Sequence, residues 1–288
     1  MTAAPAVTIE QALERAGTGR FQWTLLGIFG LVWAADAMQV LAIGFTAPSI
    51  AKSFGITVPE ALGTGTAFFL GMLLGAWGFG QLADRYGRRR VLIVTVLLDA
   101  LFGLASALAP DLAWLLVLRF LTGMAVGGTL PVDYALMAGF LPPQRRGRWL
   151  GMLEGFWAGG TIVVAVAAWI FATSGAAEPW RWIFVVTGVP ALIGFGLRFW
   201  VPESPYPLAR EGRGREAAEV LRRIARSNGR TLGDLELAPT QRGRQPAWAL
   251  FRPDLKRTSL LILAAWFLVS AAYYGVFVWL PGQLVAGG

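Results

Sequence analysis

The sequence predicts an all-α integral membrane protein. Of its 288 residues, 56% are hydrophobic and only 15% are charged, which is more apolar than a soluble domain. About 20 mostly apolar residues are enough to cross a hydrocarbon core of roughly 30 Å. Stretches of that length lie at 23–47, 64–83, 91–109, 112–137, 149–172, 181–201 and 258–280. Because lipid offers no partner to free backbone groups, each span must be a helix.

A polar N-terminal segment, residues 1–21, precedes the first span. It contains no apolar core of the kind found in cleaved signal peptides, so we expect the first span to act as the targeting signal. Within it, the sequence from Thr8 to Gln11 fits a capping box that opens a short helix ending near Gly17. We expect this helix to lie on the membrane surface.

The formal net charge of +8 is explained by where the basic residues lie. Nine precede the first span or lie between spans 2 and 3 and spans 4 and 5: Arg15, Arg20, Arg85, Arg88, Arg89, Arg90, Arg145, Arg146 and Arg148. Most of the remaining arginines lie between spans 6 and 7. The opposite side has Lys52 and Arg181. By the positive-inside rule the N-terminus is cytoplasmic, and the charge gives no reason to expect nucleic acid as a partner.

One long polar segment, residues 202–257, separates the first six spans from the seventh. Residues 216–226 are predicted to form an amphipathic helix, which Asn228 and Gly229 would end. The rest, through residue 248, is rich in turn-forming residues. The sequence therefore divides into the N-terminal segment, a bundle at 22–201, this cytoplasmic loop, and a region at 258–288 that contains the seventh span.

A short charged motif, GQLADRYGRRR at 80–90, lies between spans 2 and 3. Gly80 and Gly87 would permit tight turns, and Asp84 faces several arginines, Arg85, Arg88 and Arg89. Taken alone, this could be an ordinary charged loop. The pattern resembles the signature loop between the second and third helices of the major facilitator superfamily of secondary transporters, where it serves as a cytoplasmic gate.

Further segments support that resemblance. VPESPYPLAR at 201–210 and RRGR at 145–148 resemble elements of sugar-porter-like members. ADAMQVLAIGFTAP, LEGFWAGG and YYGVFVWLP are similar to the branch of synaptic vesicle protein 2-related proteins and bacterial nicotinate permeases. In span 4 that branch has acidic residues where this chain has Thr129 and Gly139. We therefore expect its cytoplasmic charge network to be rewired here, among Arg146, Glu203, Glu154 and Asp133.

The resemblance implies twelve helices in two six-helix halves, each a pair of three-helix inverted repeats, with the substrate bound between them. This chain supplies the N-terminal six-helix bundle plus a seventh span. We expect either a fragment or a shortened product, and in both cases the missing C-terminal half is an expected partner.

One carboxylate, Asp36, stands in the middle of span 1. Insertion scales assign Asp about 2.5–3.5 kcal/mol at a helix centre, so the residue needs a proton, a cation or a partner. Arg119 of span 4 is the predicted partner. The other carboxylates in the spans, Asp99, Asp133 and Glu154, are expected nearer the cytoplasmic ends of their spans. Sugar porters that resemble this chain link such a pair to proton symport. A static ion pair and direct substrate contact remain alternatives.

The sequence contains no His and no Cys. The commonest general base, the usual zinc ligands and the thiol nucleophile are therefore missing, and no catalytic spacing of Ser and Asp replaces them. We expect no enzymatic activity, no metal and no cofactor. The predicted partners are a small-molecule substrate, protons and the lipid bilayer, in a plasma or bacterial inner membrane.

The predicted function is secondary active transport of a small organic solute by alternating access. A small organic anion or aromatic acid is favoured, while the choice among symport, uniport and antiport stays open. A non-transporting sensor or scaffold and an inactive fragment are the alternatives. Candidate cavity residues, for which packing or lipid contact is the competing interpretation, are Trp33, Gln39, Phe69, Trp77, Phe156 and Trp157.

Paired glycines recur at a spacing of four in three spans. Such pairs let helices approach closely in lipid, and the same smooth faces could slide during transport. The pairs are Gly71 and Gly75, Gly123 and Gly127, and Gly155 and Gly159.

Overall fold

The computed structural model describes residues 6–193, 196, 200–238 and 247–280, and this part of the chain is almost wholly helical. The helices are α1 (Ile9–Ala16), α2 (Arg20–Phe54), α3 (Val58–Ala61), α4 (Gly63–Tyr86), α5 (Arg88–Ser106), α6 (Leu112–Ala138), α7 (Arg146–Thr173), α8 (Pro179–Gly188), α9 (Pro205–Arg210), α10 (Gly214–Ser227) and α11 (Lys256–Tyr274). Short 3₁₀ turns lie at Pro143–Arg145, Pro190–Ile193 and Ala247–Phe251, and a π-helical turn, Gly275–Trp279, follows α11.

Five helical segments among the described residues are long and apolar enough to cross a membrane. They contain α2, α3 with α4, α6, α7, and α11, and they match predicted spans 1, 2, 4, 5 and 7. Helix α5 covers most of the third span, but its 19 residues include three arginines and Asp99, which lower its hydropathy. The predicted sixth span, 181–201, begins in α8, and residues 194, 195 and 197–199 of it lie outside the described ones.

Helix α8 ends well before the predicted end of span 6. Pro190 starts a 3₁₀ turn directly after it, because a proline has no N–H to continue the helical hydrogen bonds. Helix α8 begins at Pro179, two residues before the predicted start of span 6 at Arg181, and its ten residues are too few to cross a membrane. The arrangement of six spans plus one remains an expectation.

The tightest contact in the bundle is between α4 and α6. A Cβ atom placed on Gly75 would lie 2.0 Å from the backbone oxygen of Met124, and one on Gly123 would lie 2.0 Å from that of Phe68. Two further members of the predicted pairs make the same approach, Gly71 and Gly127. The expectation that these two glycine pairs let helices pack closely is therefore confirmed.

The third glycine pair does not serve this purpose within the described residues. Gly155 and Gly159 of α7 are exposed, and a Cβ placed on either would have nothing within 4 Å. The neighbouring Gly160 makes the contact instead, at 2.2 Å from the backbone oxygen of Ala34 on α2. The prediction was wrong for this pair, because a shift of one residue rotates a helical position by about 100°.

The short helix α1 forms as its capping box predicted. Thr8 and Gln11 exchange hydrogen bonds at its start, and it ends at Gly17 with φ +66°. Its apolar face does not point to lipid, however. Ala12 and Leu13 have no exposed surface, because α1 packs against α10. The expected place on the membrane surface is thus replaced by a place packed against α10.

Asn228, predicted as the end of the amphipathic helix, also fastens α10 to the start of α2. Its side-chain N–H groups donate to the carbonyl oxygens of Ala16 and Gly17 at 3.3 and 3.0 Å and to Oε1 of Gln22 at 3.0 Å. Its Oδ1 accepts the N–H of Phe21 at 3.1 Å. One amide therefore satisfies backbone groups left free where α1 ends and α2 begins. The prediction for residues 233–248 falls partly outside the described residues.

Candidate functional site

A cluster of polar side chains is buried among α2, α5 and α6. Asp36 and Asp99 are each 1% exposed, and three others have no exposed surface: Gln39, Arg119 and Asp133. Buried charges are tolerated in a membrane protein only where they are paired, neutralised or functional. This cluster is the candidate functional site.

Arg119 stands at the outer end of the cluster and is bound by neutral acceptors. Its two terminal nitrogens donate to Oε1 of Gln39 at 3.1 and 3.2 Å, its Nε to Ser106 at 3.2 Å, and its Nη2 also to Thr122 at 3.0 Å. The guanidinium carbon lies 4.3 Å from the ring centre of Phe184. These contacts fix the cation in one orientation.

The predicted ion pair between Asp36 and Arg119 is not formed in this structure. Gln39 accepts the hydrogen bonds of the guanidinium instead, because it lies three residues, about 4.5 Å, closer than Asp36 to the C-terminal end of α2. Oδ2 of Asp36 has no hydrogen-bond partner. Asp99 and Asp133 lie close enough to repel its charge.

Asp99 is the residue whose position sequence reasoning misjudged. Helix α5 begins at Arg88 and ends at Ser106. Asp99 lies eleven residues after its first residue and seven before its last, so it lies past the middle of the helix. There it interacts electrostatically with both Arg119 and Asp36. The signal was available, because Asp99 is the only charged residue in the apolar run 91–109.

Asp133 lies further along α6 than Arg119, at the other end of the cluster. Neither of its carboxylate oxygens has a hydrogen-bond partner, and its charge acts on Asp36 and Tyr134. The sequence placed it in a cytoplasmic charge network with Arg146 and Glu203, but no described interaction joins it to either residue. Glu154, another expected member, is exposed on α7 and accepts a hydrogen bond from the hydroxyl of Tyr134.

Aromatic side chains from four helices pack against one another beside the cluster. The Trp33 ring centre lies 5.0 Å from that of Tyr134 and 5.9 Å from that of Trp157, whose Nε1 donates to the hydroxyl of Tyr273 at 2.9 Å. We call these four residues the aromatic wall. Sequence reasoning singled out Trp33 and Trp157 and missed the two tyrosines. Nε1 of Trp33 has no hydrogen-bond partner, although the residue is only 6% exposed.

The other aromatic candidates lie in different surroundings. The Phe156 ring covers Gly30 of α2. Phe69 stacks on Trp279 with ring centres 5.6 Å apart, outside the aromatic wall. Trp77 is 71% exposed, which fits the competing interpretation of contact with lipid or with another part of the protein.

The charged motif lies where α4 ends and α5 begins. Gly80 is inside α4 rather than in a turn, and the connection between α4 and α5 is Gly87 alone, with φ +95°. Arg88 donates from Nη1 to the carbonyl oxygen of Ala135 at 2.9 Å, and it interacts electrostatically with Asp84. The motif thus joins α5 to the inner end of α6.

A cavity of about 760 Å³ opens next to the motif. Its charged lining consists of four arginines and three acids, two of which come from outside the motif. The charged lining residues are Glu10, Asp84, Arg85, Arg88, Arg146, Arg210 and Glu211. The cavity also reaches Ala135, two residues from Asp133 on α6.

Glu203 contacts the motif rather than Arg146. Its carboxylate accepts N–H groups of Arg89 at 3.4 Å and Ser204 at 3.2 Å, and it approaches Gly87 so closely that a Cβ there would lie 2.9 Å from Oε2. Burial raises the pKa of Glu203 above its ordinary value, against the lowering effect of these hydrogen bonds and the Arg89 charge.

Arg146 interacts instead with Tyr206 and Glu10. Burial and then the Glu10 carboxylate raise the pKa of Tyr206 to about 12. A Cβ on Gly139 would lie 2.3 Å from Oγ of Ser204, so Ser204 occupies the space beside that residue. The contacts observed here differ from the expected network.

Apolar spans that surround buried carboxylates and an arginine, with a cationic motif at one end, define a polytopic membrane protein of the transporter class. The chain belongs to the Major Facilitator Superfamily, whose sequence profile matches residues 25–287. It is therefore an integral membrane protein of a family of transporters rather than of enzymes.

Curated relatives belong to the branch that the motifs indicated. The chain is 35% identical to the niacin transporter NiaP of Acinetobacter baylyi over 278 residues, which cover 96% of this chain and 63% of the relative. It is also 35% identical to the Synaptic vesicle 2-related protein of Bos taurus, over 97% of this chain and 50% of the relative. The chain thus spans about half to two thirds of the length of these relatives.

Solved structures show the same fold. A partially occluded inward-open form of the xylose transporter XylE from E. coli matches with a TM-score of 0.65 and 22% identity, over 72% of this chain and 54% of that one. A bacterial homologue of the human lysosomal transporter Spinster, inward-facing and unoccupied, matches with a TM-score of 0.54 and 18% identity, over 66% of this chain and 45% of that one. At these identities the likeness concerns the fold alone.

Proposed function

We propose that the whole protein is a secondary transporter that moves a small organic solute by alternating access and couples this movement to protons. The observation that carries the proposal is the buried carboxylate of Asp36, which has an oxygen without a partner in the same cluster as the fixed cation Arg119. Such a group is stable in a membrane interior when it holds a proton or gains a cationic neighbour. A change of helix packing that alters its neighbours therefore changes its affinity for a proton.

The proposed substrate is a small aromatic acid. The aromatic wall offers ring faces and edges on which a planar molecule could stack. The name of the relative from Acinetobacter baylyi, a niacin transporter, agrees with this class. Nicotinate is accordingly the first compound to test, with xylose as the comparison, because the likeness to XylE concerns only the fold.

Replacing Asp36 by Asn in the whole protein should separate exchange from accumulation. Asn has nearly the same shape but cannot carry a proton at neutral pH, so exchange of labelled substrate across the membrane should persist. Accumulation driven by a pH gradient should fall to the level of equilibration. Both are measured in reconstituted vesicles. Accumulation equal to that of the parent would remove Asp36 from the coupling mechanism, and absence of any solute movement by the parent would favour a sensor or scaffold.

The charged motif is proposed to act as the cytoplasmic gate. Arg88 ties the motif to α6 through the Ala135 carbonyl, and Glu203 ties it to the segment before α9. Both links lie at the end of the bundle where the cavity opens. A second half that docks on Asp84 and its arginine neighbours would close this end.

The N-terminus, the motif and residues 202–257 are proposed to be cytoplasmic, in a plasma or bacterial inner membrane, as the arginine distribution requires. A cysteine introduced at the exposed Ser227 should not react with an impermeant maleimide added to intact cells. The matched variant Lys52→Cys, at the exposed outer end of α2, should react, provided that other cysteines of the whole protein are replaced. Labelling at 227 and not at 52 would reverse the orientation.

A further inference from the structure

We propose that Asp133 is a second proton-carrying carboxyl group, which receives the proton from Asp36 and passes it to the cytoplasmic cavity. This inference rests on the proposed proton coupling and extends it with a route. The established likeness to transporters assigns no role to Asp133.

The first argument is the balance of buried charge. Three fully buried carboxyl groups, Asp36, Asp99 and Asp133, share the cluster with one cation, Arg119. Among the described residues, no carboxylate of the cluster forms an ion pair within 4 Å. An unpaired charge in the membrane interior is costly, so one cation leaves two of the three carboxyl groups to be neutralised by protons.

The second argument is the environment of Asp133. It is completely buried, and neither carboxylate oxygen accepts a hydrogen bond from the described residues. Like Asp36, it makes no described contact with Arg119, which lies fourteen residues away, about 21 Å along α6. It is therefore the carboxyl group with the least compensation in this conformation.

An independent donor marks the same place. Nε1 of Trp33 is buried and has no acceptor, and its ring packs against Tyr134, the residue after Asp133. Trp33 also precedes Asp36 by one helical turn. An indole N–H without an acceptor, next to carboxylates without donors, is suited to hold a polar group between Asp36 and Asp133, as proton transfer requires.

The third argument is position along the proposed route. The Asp133 charge acts on Asp36, and two residues further along α6 Ala135 lines the cytoplasmic cavity. The charged and titratable groups on the elements around it are Asp36 from α2, Asp84 and Arg85 from the end of α4, Arg88 and Asp99 from α5, Tyr134 from α6 itself, and Glu154 from α7. Of these, Asp36 and Tyr134 are the groups on which the Asp133 charge acts, and Asp36 is the carboxyl group of the two.

The transfer itself needs no further reactant. Protonated Asp133 first releases its proton to solvent in the cavity and becomes a carboxylate. The O–H bond of protonated Asp36 then breaks and an O–H bond forms on Asp133, while the negative charge moves to Asp36. Movement of Arg119 toward Asp36 in another conformation would stabilise that charge.

Two measurements on the whole protein test the route. In purified protein, infrared difference spectra should show the carbonyl band of a protonated carboxyl group, and Asp133→Asn should remove one such band. In vesicles, Asp133→Asn should keep substrate exchange and lose accumulation driven by a pH gradient, whereas Asp133→Glu should restore part of that accumulation. The control Thr129→Val, one turn away on α6, should change neither measurement.

The outcomes separate this route from the coupling proposal. If Asp36→Asn abolishes accumulation while Asp133→Asn accumulates like the parent, the route is overturned and Asp36 keeps its role. Infrared spectra in which Asp133→Asn leaves every carboxyl band unchanged also overturn it, whether or not transport is seen. A merely structural Asp133 would lower exchange and accumulation together.

Discussion

Replacing Arg119 by alanine is expected to prevent most of the protein from folding. The side chain is completely buried and donates hydrogen bonds to Gln39, Ser106 and Thr122. Its removal leaves Oε1 of Gln39 without its charged donor and Asp99 without the nearest cation. Breaking such an arrangement from one side costs about 3–5 kcal/mol, which is a large part of the 5–15 kcal/mol that typically holds a protein folded.

The measurement is the yield of monodisperse protein after extraction in detergent, together with its thermal transition. Arg119→Lys should give an intermediate result, because an ammonium keeps the charge but cannot reproduce the planar fork of donors to Gln39. Arg213→Ala is the matched control, since Arg213 makes only exposed ion pairs with Glu211 and Glu216. A parental yield and transition for Arg119→Ala would contradict the central role assigned to this residue.

Replacing Gly75 by valine is expected to separate α4 from α6. The first atom of the new side chain would lie 2.0 Å from the backbone oxygen of Met124, and a backbone atom cannot rotate away as a side chain can. Inserting atoms into a packed interior costs about 1–3 kcal/mol, and a clash with backbone belongs at the upper end of that range or beyond it. The thermal transition should fall clearly, and the yield of folded protein with it.

Gly78→Val provides the control on the same helix, because a Cβ at that position meets nothing within 4 Å. If both variants behave alike, the loss comes from valine in a helix and not from the contact between α4 and α6. A Gly75→Ala variant that stays folded but no longer transports would instead support sliding of this interface during transport.

Structural features that depend only on residues close together in the chain could be predicted from the sequence. Apolar length predicted seven spans, and five of them match helical segments of the described residues that are long and apolar enough to cross a membrane. The capping box at Thr8 and the stop at Asn228 predicted where two short helices begin or end. The charged motif and its companions indicated the superfamily that the sequence profile confirms. The lone carboxylate in span 1 pointed to a buried polar site, because its cost in lipid can be read without any tertiary information.

Which groups contact one another depends on the tertiary structure. In it, Arg119 donates to Gln39, and Asp99 and Asp133 act on Asp36. The close contact of α7 is made by Gly160 rather than Gly159, and α1 packs against α10. Sequence spacing gives the depth of a residue to within about a helical turn. An arginine side chain reaches further than that, and one residue of rotation moves a position to another face. The partners therefore depend on how the helices are rotated and tilted against one another, which no single span encodes.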